Sequence, residues 1–123
     1  MKISIITTCL NSDKSIAYTL SSIFEQTHKN IEHIIVDGGS SDATVKILKQ
    51  HKAKKKIIIA PKTTIYEALN IGIRKSKGEY ILILNSDDIL NNKNVIKKAV
   101  KNIKKSKYKI MLGDVSYFDN YFF

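Results

Sequence analysis

A chain of 123 residues, 43% hydrophobic and 26% charged, is sized for one domain with a real core and has the composition of an ordinary globular protein. No apolar stretch approaches the roughly 20 residues that span a bilayer, and the opening Met1-Lys2 followed by Ile3 to Leu10 is too short and too interrupted for a secretory signal. The formal charge of +10 admits anionic partners, nucleotide diphosphates and acidic lipid headgroups among them, and selects none.

Apolar runs and helical patterns alternate along the chain. Ile3-Ser4-Ile5-Ile6-Thr7 reads as a first strand. With Ser12 or Asp13 as N-cap, Ile16, Leu20, Ile23 and Phe24 recur at helical spacing and predict an amphipathic helix. Ile31 to Val36 is a second strand, ended by Asp37-Gly38-Gly39. Asp42 then caps a short helix through Val45, Ile47 and Leu48. Ile57 to Ala60 is a third strand, stopped by Pro61, and Ile65, Leu69 and Ile73 predict a helix closing at Gly78. Tyr80 to Leu84 reads as a buried fourth strand. Val95, Ile96, Ala99, Val100 and Ile103 line a last helix, and Lys109 to Leu112 reads as a last strand before Gly113-Asp114. Strands alternating with helices imply an α/β fold, a mostly parallel sheet with helices on both faces.

Strands one, two and four end in polar loops, Thr7 to Asn11, Asp37 to Asp42 and Asn85 to Asp88. In a parallel sheet those ends share one edge, where open α/β sheets hold ligands. Adjacent carboxylates Asp87 and Asp88 in a tight turn can share a hard divalent cation and leave positions open for phosphates. Equally, an Asp before Ile89-Leu90 can simply start the next helix. In Asp37-Gly38-Gly39-Ser40-Ser41-Asp42 the glycines let backbone approach a ligand, and an acidic side chain can accept from a base N–H or a ribose hydroxyl. For Asp42 the capping role is the better reading.

Neither Gly-x-Gly-x-x-Gly after the first strand nor a phosphate-binding loop ending in Gly-Lys-[Ser/Thr] is present, so a bound nucleotide relies on metal and carboxylates. The lysine clusters Lys52 to Lys56 and Lys93 to Lys109 lack interleaved aromatics and any nucleic-acid motif, so no nucleic acid is expected. Only the charge supports that alternative. The single Cys9 excludes an intramolecular disulfide, fits a reducing compartment and reads as a packing residue. His28, His33 and His51 lie apart from any acid–base partner and read as surface or packing residues.

Taken together these segments resemble the inverting family 2 glycosyltransferases, enzymes of the GT-A (nucleotide-diphospho-sugar transferase) fold. The matching stretches are Ile3 to Asn11, Ser22 to Thr27, Glu32 to Thr44, Ile65 to Ile73, Gly78 to Tyr80, Leu84 to Asp88 and Leu112 to Val115. They cover nearly the whole chain in the family's order, so residues 1–123 read as one nucleotide-sugar-binding domain.

The resemblance implies that Thr8, Leu10 and Asn11 contact the nucleobase and that Asp37 hydrogen-bonds it. It implies that Asn70 lies in the segment lining the donor site. Asp87 and Asp88 match the region that holds the ribose and a Mg²⁺ or Mn²⁺ on the donor diphosphate. A UDP-sugar is the first donor implied, with a glycan or lipid-linked acceptor, in bacterial-type polysaccharide or glycolipid synthesis. The expected setting is cytoplasmic, at the inner face of the membrane with peripheral contact.

Three departures stand out. Leu10 replaces an aromatic residue that stacks on the base, and Asn85 replaces a carboxylate. In relatives the acceptor half and the catalytic base follow the Leu112-Gly113-Asp114 segment. The chain therefore reads as truncated at its C-terminus, with Asp114 and Asp119 candidates for the base only by default. Two outcomes follow: a hexosyltransferase-like enzyme that transfers poorly in isolation, or a non-catalytic donor-binding remnant or subunit. The closing Tyr117 to Phe123 is strongly aromatic and reads as a strand or core piece, or as a contact for a second chain or a membrane.

Overall fold

Strands and helices alternate strictly through the computed structural model, which describes residues 1–106 and 109–116. The order is β1 (Ile3–Cys9), α1 (Ile16–Phe24), β2 (Ile31–Asp37), α2 (Thr44–Gln50), β3 (Lys56–Ile59), α3 (Ile65–Lys75), β4 (Tyr80–Ile83) and α4 (Val95–Ser106). The four strands form one parallel sheet in the order β3-β2-β1-β4. The central strands β1 and β2 are almost wholly buried, which is why they read as near-continuous apolar runs. Edge strands β3 and β4 are only partly covered, so the fourth strand, expected to be buried, instead leaves Ile81 and Ile83 exposed because it lies at the sheet's edge.

Register decides which side chains share a face. Ile5 pairs with His33 and Leu82, and Ile6 with Ile34 and Ile83. Ile3, Ile5, Cys9 and Ile35 point to one side, where Ile16, Leu20 and Ile23 of α1, Leu48 of α2 and Ile96 and Val100 of α4 cover them. Ile34 and Val36 point to the other side, under Ala68 and Ile71 of α3. Helices on both faces are thus as expected.

The α1 stripe is buried at Ile16, Leu20 and Ile23, but the helix starts with Ser15 as N-cap, and Ser12 instead anchors the turn that leads in. The N-cap of α2 is Ala43 rather than the expected Asp42, which sits one residue earlier and accepts from the Thr44 N–H through Oδ1 at 2.9 Å. Thr64 and Glu67 form a reciprocal capping box at the start of α3.

Two further expectations are corrected. The buried face of α3 is Ala68 and Gly72, while Ile65 and Ile73 are exposed, and the helix ends at Lys75 rather than at Gly78. The reason is proximity: a Cβ on Gly72 would lie 2.5 Å from Ile6 Cγ2, so only small residues let this helix sit so close to β1. The segment 109–112 forms no strand and its apolar side chains are exposed, since no described strand pairs with the outer edge of β4. The aromatic stretch 117–123, with Asp119, lies outside the described residues.

Candidate functional site

Because all strands run parallel, the carboxyl ends of β1, β2 and β4 lie side by side, and their loops meet at one edge. A cleft of about 610 Å³ opens there, lined by Asn11 to Ser15 after β1, Asn85 to Asp87 after β4, and Ile65 at the start of α3. That volume is ordinary for a small-molecule site. A second cavity of about 140 Å³ shares Ile65 with it and is walled by Thr8, Leu10, Gly38, Thr64 and Ala68.

Hydrogen bonds clasp the first loop to the second. Asn11 adopts a left-handed backbone with φ of 50°, which asparagine tolerates better than most residues. Its N–H donates to Ser40 Oγ at 2.8 Å, and its side-chain oxygen accepts from the Ser41 N–H at 2.9 Å. Asp37 is fully buried beneath this clasp. Its Oδ1 accepts from the N–H groups of Gly39 and Ser40 at 2.9 and 2.8 Å. Its Oδ2 accepts from the Ser40 hydroxyl at 2.5 Å and from the Cys9 thiol at 3.4 Å. Gly39 takes φ of +96° in this turn, the conformation glycine adopts without strain. Burial and then the Asp37 carboxylate push the Cys9 thiol up to about 12, so it is a packed thiol and not a nucleophile.

The third loop is held by hydroxyls from α1 and its lead-in turn. Ser12 and Ser86 hydroxyls lie 2.8 Å apart, and Ser15 Oγ donates to the Ser86 carbonyl at 2.9 Å. The buried Thr19 Oγ1 lies 3.0 and 2.8 Å from the carbonyls of Ser86 and Asp88, sharing one proton between them. These contacts fix where Asp87 projects.

Thr8 and Leu10 line the small cavity; Asn11 and Asp87 line the cleft. Asp37 lines neither, its oxygens being committed to the loop above it. Asp88 is exposed beside the cleft without lining it, and Asn70 is exposed on α3 away from both cavities. Asp114 is exposed and lines neither. Sequence reasoning missed Lys14 and Asp13 in the cleft, and Thr63 and Thr64 at the small cavity. It also missed the Ser12, Ser15 and Thr19 clamp, whose signal was hydroxyls at i, i+3 and i+7. Lys14 carries no local signal of its own.

Among the described residues no group of three or more His, Cys, Asp or Glu side chains gathers into a metal cage. The donor set suits Mg²⁺ or Mn²⁺ nonetheless. Such ions use one or two carboxylates and complete their shell with water and substrate phosphates, and here the oxygen-bearing Asp13, Asn85 and Asp87 face one open cleft. No sulfur or imidazole ligand lines it.

Comparison with known proteins identifies the family and the fold. The model of a family described as glycosyl transferase family 2 matches residues 4–122. Glycosyltransferase GlyG of Streptococcus pneumoniae is 31% identical over 121 residues, 95% of this chain and 40% of that protein. Poly(ribitol-phosphate) beta-N-acetylglucosaminyltransferase TarS of Staphylococcus aureus is 30% identical over 105 residues, 80% of this chain and 18% of that protein. The structure of TarS residues 1–349 in complex with UDP-GlcNAc superposes with a TM-score of 0.80 at 28% identity, covering 87% of this chain and 32% of that one. The mannosyltransferase PcManGT from Pyrobaculum calidifontis, in complex with GDP-Man and Mn²⁺, shares the fold at a TM-score of 0.76 and 22% identity, over 83% of this chain and 32% of that one. The chain spans less than half the length of each of these relatives.

Proposed function

This chain belongs to glycosyl transferase family 2, and from that membership we propose that it is the donor-binding part of a glycosyltransferase acting in bacterial polysaccharide or glycolipid synthesis. The donor is a UDP-sugar and the acceptor a glycan or a lipid-linked glycan. One observation carries the reading: a small, largely apolar cavity opens beside a larger cleft that presents Asp87, Asn11 and Lys14. A nucleobase fits the first, and the ribose and diphosphate the second. TarS, with its UDP-GlcNAc complex, supports uridine as the nucleoside.

In this reading Thr8, Leu10 and Thr64 enclose the uracil, and Asp37 shapes the Gly38-Gly39 turn beside it. Asp87 and Asp13, which line the cleft, would hold Mg²⁺ or Mn²⁺, with Asp88 adjacent in the chain. A divalent ion there would supply positive charge to neutralise the leaving diphosphate. The Lys14 ammonium adds a second cation on the same side. The Ser12, Ser15 and Thr19 clamp keeps the metal-binding loop in place, so little reorganisation is needed when the donor arrives. The buried, reduced Cys9 suits a cytoplasmic setting.

Calorimetric titration with UDP, with and without Mn²⁺, tests the reading. Mn²⁺ is expected to tighten UDP binding, and the double variant Asp87→Ala/Asp88→Ala to remove that gain while melting normally. Metal-dependent binding that survives in the double variant sinks the site. A second reading, donor binding without turnover, is favoured by the position of Asp114, exposed and outside both cavities. Acceptor-dependent transfer by the purified chain separates the two.

A further inference from the structure

The basic residues concentrate in three stretches of the chain. Residues 16–29, 43–56 and 93–106, which contain α1, α2 and α4, hold 13 of the chain's 20 lysines and a single acidic side chain, Glu25. All other positions together carry eight basic and ten acidic groups, so the rest of the chain is net acidic. These three helices pack on the same face of the sheet, α1 sharing one core with α2 and another with α4. The lone arginine, Arg74, lies on α3 across the sheet.

Within that layer the outward surface has a definite composition. On α4 the buried Ile96, Val100 and Ile103 turn Lys97, Lys98, Lys101, Lys104 and Lys105 to the exterior, and the helix holds no acid. The neighbouring α1 bears no charge and presents two large aromatics, Tyr18 at 52% and Phe24 at 44% exposure. The Lys52 ammonium, just after α2, lies 4.7 Å from the Phe24 ring centroid. An uncharged helix with exposed aromatic rings is therefore flanked by lysine-bearing helices.

We propose that the α2–α1–α4 layer docks the protein on an anionic lipid bilayer. Lysine stems reach acidic headgroups while Tyr18 and Phe24 settle at headgroup depth, the level that aromatic side chains favour. Lysines on two helices that flank an uncharged, aromatic-bearing one match a broad, diffuse anionic surface. Nucleic-acid readout draws instead on arginine forks and motif-placed stacking aromatics. No described helix is long and apolar enough to cross a membrane, so the contact is peripheral. The donor cleft opens at the sheet's carboxyl edge, so docking leaves it accessible. None of the cleft residues takes part, so the inference stands apart from the donor assignment.

Co-sedimentation with phosphatidylcholine vesicles, with and without about 30% phosphatidylglycerol, reads the contact directly. The chain is expected to bind only the anionic vesicles, and to release at roughly 0.5 M salt. Lys98→Gln/Lys101→Gln/Lys105→Gln is expected to lower binding at least about 10-fold. Arg74→Gln/Lys75→Gln/Lys77→Gln removes the same charge from the far end of α3 and is expected to leave binding intact. The chain has no tryptophan, so Tyr18→Trp should report docking by a blue shift with anionic vesicles, whereas Tyr66→Trp on α3 should not. Equal losses in the two triple variants, both fully folded by circular dichroism, would overturn the proposal in favour of a net-charge effect. Tighter binding to a DNA duplex than to the anionic vesicles would overturn it in favour of nucleic acid.

Discussion

His33 lies in the interior of β2 with its ring almost sealed from solvent; Nε2 is 2.9 Å from Thr7 Oγ1, and Nδ1 is buried without a partner. Burial, then the charges of Lys55 and His51, push its pKa down to about 3. The unfolded chain, with an ordinary imidazole near 6.5, takes up the proton first. Stability from the neutral ring is therefore full above about pH 6.5 and is lost as pH falls toward about 3. Urea unfolding at pH 7.5 and pH 5 is expected to show a loss of about 2 kcal/mol, and His33→Gln to flatten most of it. A wild-type stability independent of pH over that interval would refute the assignment. Asp37 teaches a different lesson at this scale. Its type and position were legible as a polar loop start, and three of its four hydrogen bonds come from Gly39 and Ser40 in its own turn, but its full burial and the bond from Cys9 on β1 depend on the pairing of the strands.

Among the elements, α1 links packing to the site. One flank buries Ile16, Leu20 and Ile23 against the sheet, and another sends Thr19 to the carbonyls that shape the Asp87 loop. Thr19→Val keeps the volume and removes the donor. It is expected to cost about 1–2 kcal/mol of stability and to weaken UDP binding in Mn²⁺ more than UDP binding without metal. Equal weakening in both conditions would show that Thr19 supports the fold alone. The helix itself was readable from its apolar period, whereas its hydroxyls acquire meaning only when β4 is placed beside β1. The period in α3 was equally plain, yet it marked the flank and not the contact face. Ala68 and Gly72 have too little apolar surface to register as a stripe, and close approach to Ile6 selects them.

Across the whole molecule, cover is uneven. Ile81 and Ile83 pair with Ser4 and Ile6 and so share the α3 face, but they remain 43% and 51% exposed. Ile65 and Ile73 of α3 are exposed too, and no described strand pairs with the outer edge of β4. Such an edge is a template for pairing. Ile81→Thr/Ile83→Thr is expected to reduce self-association in analytical ultracentrifugation while shifting stability by no more than about 1 kcal/mol. A large loss of stability would mean that these side chains are covered in solution.

The sequence by itself determined the order and type of the eight elements from β1 to α4, the parallel sheet with helices on both faces, and the meeting of three polar loops at one edge. Those follow from local periods and from the handedness of strand–helix–strand units, which act within each segment. It also carried the family resemblance, because the motif stretches stand in order along the chain. Only the tertiary structure decided that Asp87 faces the cleft while Asp88 does not, and that Lys14 and Asp13 join it. The same holds for the contact face of α3, for the exposed, unpaired segment 109–112, and for the gathering of the lysines onto one layer. Each depends on which neighbour a side chain meets across the sheet, and a one-dimensional period specifies how often a residue turns inward without specifying what it turns toward.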